Sequence, residues 1–340
     1  FRPRRSATMA LERIRQLSRE GADHVLDADI QDYFGSIDHG KLLTLVGQRV
    51  SDRRMLKLIR LWLEAGVMED GVVSHPVAGT PQGGVISPLL SNVYLHVLDR
   101  VWARHGAHLG ELVRYADDFV VMCRSARACE EAQGRIEHVL GRLGLTLHPQ
   151  KTRRVVLTDG LEGFDFLGCH LRKRMSGRLW EQNKLKRYYL HRWPSRRAMN
   201  RVRARVRELT PRGRCHQDVR GVIAEINPVL RGWGQYFGSG NSANHFIDVD
   251  DYVVKRLKGL RLKRAGRNLR AGQAQRWDRG YFESLGLHRL RGTIRYPGKN
   301  PGNRSPRNAA SRRPPVSRVR EIRTHGLNGG VGSEPGLRAD

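Results

Sequence analysis

Two adjacent carboxylates, Asp117 and Asp118, interrupt a run of strand-forming residues, L-V-R-Y-A-D-D-F-V-V-M at 112–122. Val, Tyr and Phe on either side read as strands, so the pair is expected at the tip of a tight hairpin within a sheet. Like charges held side by side next to buried strands repel, which is costly unless a cation sits between them and another ligand. A divalent metal is one reading; the other is that Asp-Asp marks a turn through its own side-chain hydrogen bonds. A second acidic stretch, V-L-D-A-D-I-Q-D-Y-F at 25–34, favours the metal. If its strand lies beside the hairpin, Asp29 completes a carboxylate cluster with Asp117, and oxygens on rigid strands can hold two hard cations. Phosphoryl transfer by two metals needs such a cluster: one ion lowers the pKa of an attacking 3′-hydroxyl, and the other neutralises charge on a leaving pyrophosphate.

The elements that must carry these groups can be read along the chain. Ser6 is expected to cap a helix over 6–19, followed by the Asp29 strand and by helices near 40–48 and 52–65, the latter packing Met55, Leu56, Ile59 and Leu63. Residues 71–86 read as a short hairpin running into the turn P-Q-G-G. Glycines there allow close backbone approach to a ligand and Gln82 offers donor and acceptor, although Gly-Gly with Pro also punctuates ordinary loops. Ser87 with Pro88 is expected to cap a helix to about His105 that aligns Val93, Val97 and Val101. After the hairpin come a helix over 126–143 and a short strand, L-T-L-H. Strands near 25–30, 112–115, 119–122 and 153–157 give an α+β architecture and not a doubly wound sheet.

Three blocks, D-A-D-I-Q-D-Y-F at 27–34, G-T-P-Q-G-G-V-I-S-P-L-L-S-N at 79–92 and Y-A-D-D at 115–118, resemble in order and spacing the palm motifs of group II intron-encoded reverse transcriptases. The resemblance implies roles. Asp29, Asp117 and Asp118 would be catalytic and ligate two Mg²⁺ ions. Phe34 would stack beneath the deoxyribose and exclude a 2′-hydroxyl, and Gln82 and Gly83 would support template and nucleotide. Lys151, in G-L-T-L-H-P-Q-K-T, would face the triphosphate, where an ammonium attracts phosphate oxygens; on its residues alone it reads equally as a solvent-facing lysine. Leu167 and Gly168, in F-D-F-L-G, would position the primer end. I-N-P-V-L-R-G-W-G-Q-Y-F at 226–237 resembles the signature of the maturase domain called domain X.

The charge points to the same class of partner. The 340 residues carry 62 Lys+Arg against 33 Asp+Glu, a net charge of +29 that implies a polyanion. Arginine outnumbers lysine 52 to 10, which suits bidentate phosphate contacts but also follows from codon bias in a GC-rich genome. From Lys184 to Thr210 there are ten Lys or Arg and one acid, Glu208. Pro194-Ser195 opens a helix with Met199, Val202, Val206 and Leu209 on one face and Arg197, Arg201 and Arg205 on another. Such a helix grips RNA or is simply solvated. A second helix, about 219–237, packs Val219, Ile223, Ile226, Leu230, Trp233 and Phe237 and is bent by Pro228; a third follows at V-D-D-Y-V-V-K-R-L-K-G-L. Arg187, Arg196, Arg197, Arg201, Arg205, Lys255 and Arg256 are the expected RNA contacts.

Four cysteines without paired spacing read as reduced thiols of a bacterial cytoplasmic protein, and no apolar run is long enough for a membrane span. The expected division is a palm with partial fingers over 1–183, a helical thumb and maturase domain over 184–262, a basic nucleic-acid-binding segment over 263–296 and a disordered basic tail over 297–340. Family members carry finger blocks upstream of F-R-P-R-R-S, so a truncated chain is expected, either a fragment of a longer protein or a degenerate copy, and with no paired cysteines and histidines no endonuclease. The function expected is an RNA-directed DNA polymerase and intron maturase with intron RNA, RNA template, DNA primer and dNTPs as partners and no set oligomeric state. The alternative is an inactive remnant that only binds structured intron RNA.

Overall fold

The structure, a computed structural model, describes residues 5–65, 67–69, 72–74, 79–80, 84–266, 269 and 272–295. All of them lie within one compact unit, residues 1–298. Gln82, Gly83 and the tail from Pro297 fall outside the described residues.

A four-stranded antiparallel sheet is the centre of the fold. Its strands, β1 (His24–Ala28), β4 (Gly110–Tyr115), β5 (Asp118–Cys123) and β6 (Arg153–Val156), run in the order β4-β5-β1-β6. Alternation along β5 sends Phe119, Val121 and Cys123 to one face and Val120 and Met122 to the other, all at most 1% exposed. At about 1.5–3 kcal/mol for each large apolar side chain buried, these residues anchor the sheet in the core through both of its faces.

On the first face lie α2 (His39–Gly47), α3 (Arg53–Glu64), α4 (Ser87–His105) and α5 (Ala126–Leu143), with a small hairpin of β2 (Val67–Glu69) and β3 (Val72–Ser74) after α3. The opposite face meets α1 (Ala7–Arg19), which Ser6 caps by accepting from the Met9 amide. There it continues into a second antiparallel sheet of β7 (Gly163–Phe166), β8 (Cys169–Met175) and β9 (Tyr188–Pro194); a short helix, α6 (Gly177–Asn183), separates the last two. Then come α7 (Arg196–Leu209), α8 (Val219–Phe237), α9 (Ala243–Ala265) and α10 (Arg279–Ser284), whose apolar stripes share one core with the sheet. The α+β palm with an antiparallel sheet and packed helices, followed by a helical segment, is thus the architecture observed.

Several local expectations need correcting. Ser87 is the first residue of α4 and Ile86 its cap, without a side-chain cap bond. The fully buried face of α4 is Leu90, Tyr94, Leu95, Leu98 and Trp102; Val93, Val97 and Val101 stay in line on the helix and are half-buried beside it. On α3, Ile59 and Leu63 are buried but Met55 is 43% exposed, because the helix packs along α2 and leaves its other side to solvent. The L-T-L-H stretch makes a single bridge, Leu147 to Ile30, and no strand.

Candidate active site

Register positions the acids. Ala28 on β1 lies opposite Phe119 on β5, so one residue further along Asp29 comes level with Asp118. Asp117 is the second residue of the two-residue turn between the paired Tyr115 and Asp118. The three acids singled out in the sequence therefore share one end of one sheet.

The turn itself is strained. Ala116 has φ 58°, a region where a Cβ is crowded and glycine is usual. Arg114 holds it there: Nη1 donates to the Ala116 carbonyl at 2.6 Å, Nε donates to Asp99 Oδ1 at 2.9 Å, and Nη2 pairs with Asp99 Oδ2. Nη1 also reaches Asn92 Oδ1 at 3.3 Å. Asp99 and Asn92 both belong to α4, so that helix fixes the acidic corner through a side chain that is 5% exposed. Sequence reasoning passed over Arg114, although a charge inside the apolar run L-V-R-Y signals that a buried partner must exist.

Asp29 is tied from both sides. Its carbonyl accepts from the His148 amide at 2.8 Å, and its Oδ2 pairs with Lys151 Nζ at 3.0 Å. Lys151 therefore stands beside Asp29, with its side chain 63% exposed. Phe34 is half-buried, edge-on to Tyr33, whose hydroxyl donates to the Ser91 carbonyl at 2.7 Å. Gly79 and Thr80, where the glycine-rich block begins, bond back to this segment: Gly79 N–H to Ile37 O and Thr80 N–H to Phe34 O, both 2.8 Å. Gly79 has φ 97°, and a Cβ there would stand 2.8 Å from the Phe34 carbonyl oxygen.

Asp118 meets solvent on one side and protein on the other. Burial, followed by the charges of Asp117, Asp29 and Asp27, pushes its carboxyl up to about 6, and Arg197 opposes the rise. An unfolded aspartate titrates near 3.9, about two units lower, so the folded state binds the extra proton and loses stability as pH rises from about 4 to about 6. In metal-free buffer Asp118→Asn is expected to melt above the parent at pH 8 and level with it at pH 4. The gain is about 2 °C, small because solvent screens the group. Thermal melts at both pH values check this; an equal shift at pH 4 and pH 8 would reject the electrostatic cause.

The donor set suits a hard divalent cation in chemistry, since it consists of mutually repelling carboxylates on rigid strand ends. Among the described residues no three His, Cys, Asp or Glu side chains form a group that could hold a metal ion as they stand.

Beside this corner, β7 and β8 are joined by Leu167 and Gly168, with φ 49° and 74°. The Ser195 amide, at the start of α7, donates to the Gly168 carbonyl at 2.9 Å, and the Tyr236 hydroxyl, from α8, donates to the Leu167 carbonyl at 2.8 Å. Burial raises the Tyr236 phenol to about 12, with the Cys169, Tyr115 and Asp118 charges adding to the rise.

The expected RNA contacts divide by what they touch. Arg187, Arg196, Arg197, Arg201 and Lys255 are exposed. Arg205 is also exposed and pairs with Glu208 at 2.8 Å. Arg256 holds the end of α7, donating through Nε to Thr210 Oγ1 at 2.9 Å and through Nη2 to the Thr210 carbonyl. Around that contact a hollow of about 790 Å³ is lined by Arg207, Arg212, Lys255, Arg256 and Lys263 with no carboxylate.

A profile of the reverse transcriptase (RNA-dependent DNA polymerase) family matches residues 1–171, and one of the group II intron maturase-specific domain matches residues 199–280. The group II intron-encoded protein LtrA of Lactococcus lactis subsp. cremoris is 42% identical over 100 residues, which is 29% of this chain and 16% of that protein. An uncharacterized 91 kDa protein in the cob intron of Schizosaccharomyces pombe is 26% identical over 323 residues, 75% of this chain and 39% of that protein. Protein YkfC of Escherichia coli is 32% identical over 215 residues, 52% of this chain and 55% of that protein. The chain thus spans between 16% and 55% of the length of these relatives.

Proposed function

The chain belongs to the reverse transcriptase (RNA-dependent DNA polymerase) family and carries the group II intron maturase-specific domain, and from that premise we propose that it copies RNA into DNA and assists splicing and retrohoming of a group II intron in the bacterial cytoplasm. The observation that carries the polymerase half is the placement of Asp29, Asp117 and Asp118 at one sheet end, with Lys151 paired to Asp29. The family generally uses divalent metal ions. Two Mg²⁺ ions held by Asp29 and Asp117, with Asp118 in support, would lower the pKa of the primer 3′-hydroxyl and neutralise the departing pyrophosphate.

The chain's own residues do the rest. Lys151 turns from Asp29 to the triphosphate of an incoming dNTP, and Phe34 lies under the deoxyribose, where a 2′-hydroxyl would meet its ring. Gln82 and Gly83 back the nucleotide and template, and Leu167 and Gly168 seat the primer end so that its 3′-oxygen faces the α-phosphorus. In this reading residues 1–183 are fingers and palm, 184–262 the thumb and maturase domain, 263–296 a basic nucleic-acid-binding segment and 297–340 a basic tail. The maturase half rests on the cationic hollow and the exposed arginines of α7, which suit recognition of RNA through phosphates and shape. Arg201→Gln and Lys255→Gln are each expected to weaken binding of structured intron RNA and to lower the slope of log affinity against log salt by about one. Filter binding at several salt concentrations measures both.

Primer extension on an RNA template with Mg²⁺ tests the whole reading, and incorporation by the chain is the expected result. One observation favours a second reading, a maturase remnant that grips RNA without synthesis: the described acidic side chains do not by themselves form a metal-holding group. No incorporation together with tight, salt-sensitive RNA binding would select that remnant.

A further inference from the structure

Two hairpin turns lie within electrostatic reach of Tyr236, and both hold a residue with a Cβ in the left-handed region. One is Ala116, φ 58°; the other is Leu167, φ 49°, followed by Gly168 at φ 74°. Phe166 pairs with Cys169, so Leu167 and Gly168 form a two-residue turn with both φ angles positive, a geometry that favours Asn or Gly at its first position. Leucine supplies neither glycine's freedom nor a local side-chain hydrogen bond, so the conformation persists only where surroundings enforce it. In both turns the carbonyl of the strained residue is caught by a side chain: Ala116 by Arg114 at 2.6 Å and Leu167 by the Tyr236 hydroxyl at 2.8 Å.

The second tether comes from outside the palm strands. Tyr236 lies in α8, inside the block that resembles the maturase signature and within the matched maturase-specific domain. Its neighbour Phe237 sits edge-on to it at 4.8 Å and closes over the turn, standing 3.8 Å from where a Cβ on Gly168 would be. The Ser195 amide holds the Gly168 carbonyl from the start of α7 at 2.9 Å. The turn assigned to the primer end is therefore fixed from two helices of the C-terminal half.

We infer that Tyr236 is a positioning residue for DNA synthesis: its hydroxyl holds the Leu167–Gly168 turn in the shape that seats the primer terminus, and the helix with the maturase signature thereby sets the polymerase's grip. This rests on the polymerase reading above. A tether of this kind acts on the primer and not on the nucleotide, because Lys151 and Phe34 are held by other contacts.

Tyr236→Phe in the full chain tests it, since phenylalanine keeps the ring contact with Phe237 and removes only the hydroxyl. The expected result is a rise of about fivefold in the KM for a DNA primer annealed to an RNA template, the effect of losing one neutral hydrogen bond. The KM for dNTP and kcat at saturating primer stay at parental values, and amide hydrogen exchange across residues 164–172 quickens. An unchanged primer KM overturns the inference, and if exchange still quickens the hydroxyl serves the fold alone. A KM for dNTP that rises as much as the primer KM also overturns it. If the parent extends no primer, the polymerase reading falls and the positioning role falls with it, an outcome distinguished by the parent's own inactivity.

Discussion

Asp117→Ala is expected to lower RNA-templated DNA synthesis by about 1,000-fold while leaving affinity for structured RNA within twofold of the parent. Charge stabilisation by bound cations supplies several kcal/mol in phosphoryl transfer, and about 4 kcal/mol corresponds to three decades of rate. Asp117 is placed to lose all of this with little structural cost. It lies in the turn after Ala116, has no part in either apolar cluster, and its charge opposes that of Asp118. Removing it relieves a repulsion, so thermal stability should hold or rise slightly. Single-nucleotide incorporation with the variant and the parent on the same primed template decides the matter. A loss under tenfold would mean that Asp117 holds no ion in the reacting complex, and the two-metal assignment would have to be abandoned.

Arg114→Ala is expected to be the most damaging single change to stability, by about 3 kcal/mol. Removing one partner of a buried ion pair leaves the other desolvated without its counter-charge, which costs about 3–5 kcal/mol. The lower end applies because the Asp99 side chain keeps 19% exposure and His96 Nδ1 lies 3.6 Å away. The same change frees the Ala116 carbonyl, so the strained turn relaxes and the acids lose their common heading; synthesis falls even where the protein remains folded. Arg114→Lys separates the two effects. A lysine restores the charge but cannot span both carboxylate oxygens and the carbonyl in one plane, so it should recover about half of the stability and little of the activity. Urea denaturation with primer extension gives both numbers. Stability of Arg114→Ala within 0.5 kcal/mol of the parent, an order of magnitude below the buried-pair range, would show that the pair is replaceable.

The hairpin, the Asp29 strand and the capped helices were legible because each is announced locally. Ser6 caps α1 and Ser195 caps α7 as expected, α5 spans 126–143 and ends on Gly144 at φ 76°, and apolar alternation marks β4 and β5. The acids and Lys151 could be singled out because spacing within each short block is a local property; the fold sets Asp29 level with Asp118 and pairs Lys151 with Asp29. What escaped was everything that depends on partners distant in the chain. Arg114 meets Asp99 only once α4 packs beside the hairpin, and Tyr236 meets Leu167 across 69 positions. The exposure of Met55 escaped for a related reason: an apolar stripe reports amphipathicity but not which side a neighbour will cover. Arg256 shows the reverse case, a cation that looks free in sequence and is engaged by Thr210 in the fold.

A single apolar core runs from Val25, Val120 and Met122 of the central sheet through Phe164 and Leu171 into Val202, Ile226 and Val253 of the C-terminal helices. The carboxylates take no part in it. In descent, then, the acids and the scaffold have unequal fates: a lineage can erase the acids by single substitutions and still fold, whereas discarding the sheet would strip the helices proposed to face RNA of the surface on which they assemble. A descendant that retains only the splicing role is obliged to inherit a silent polymerase along with it.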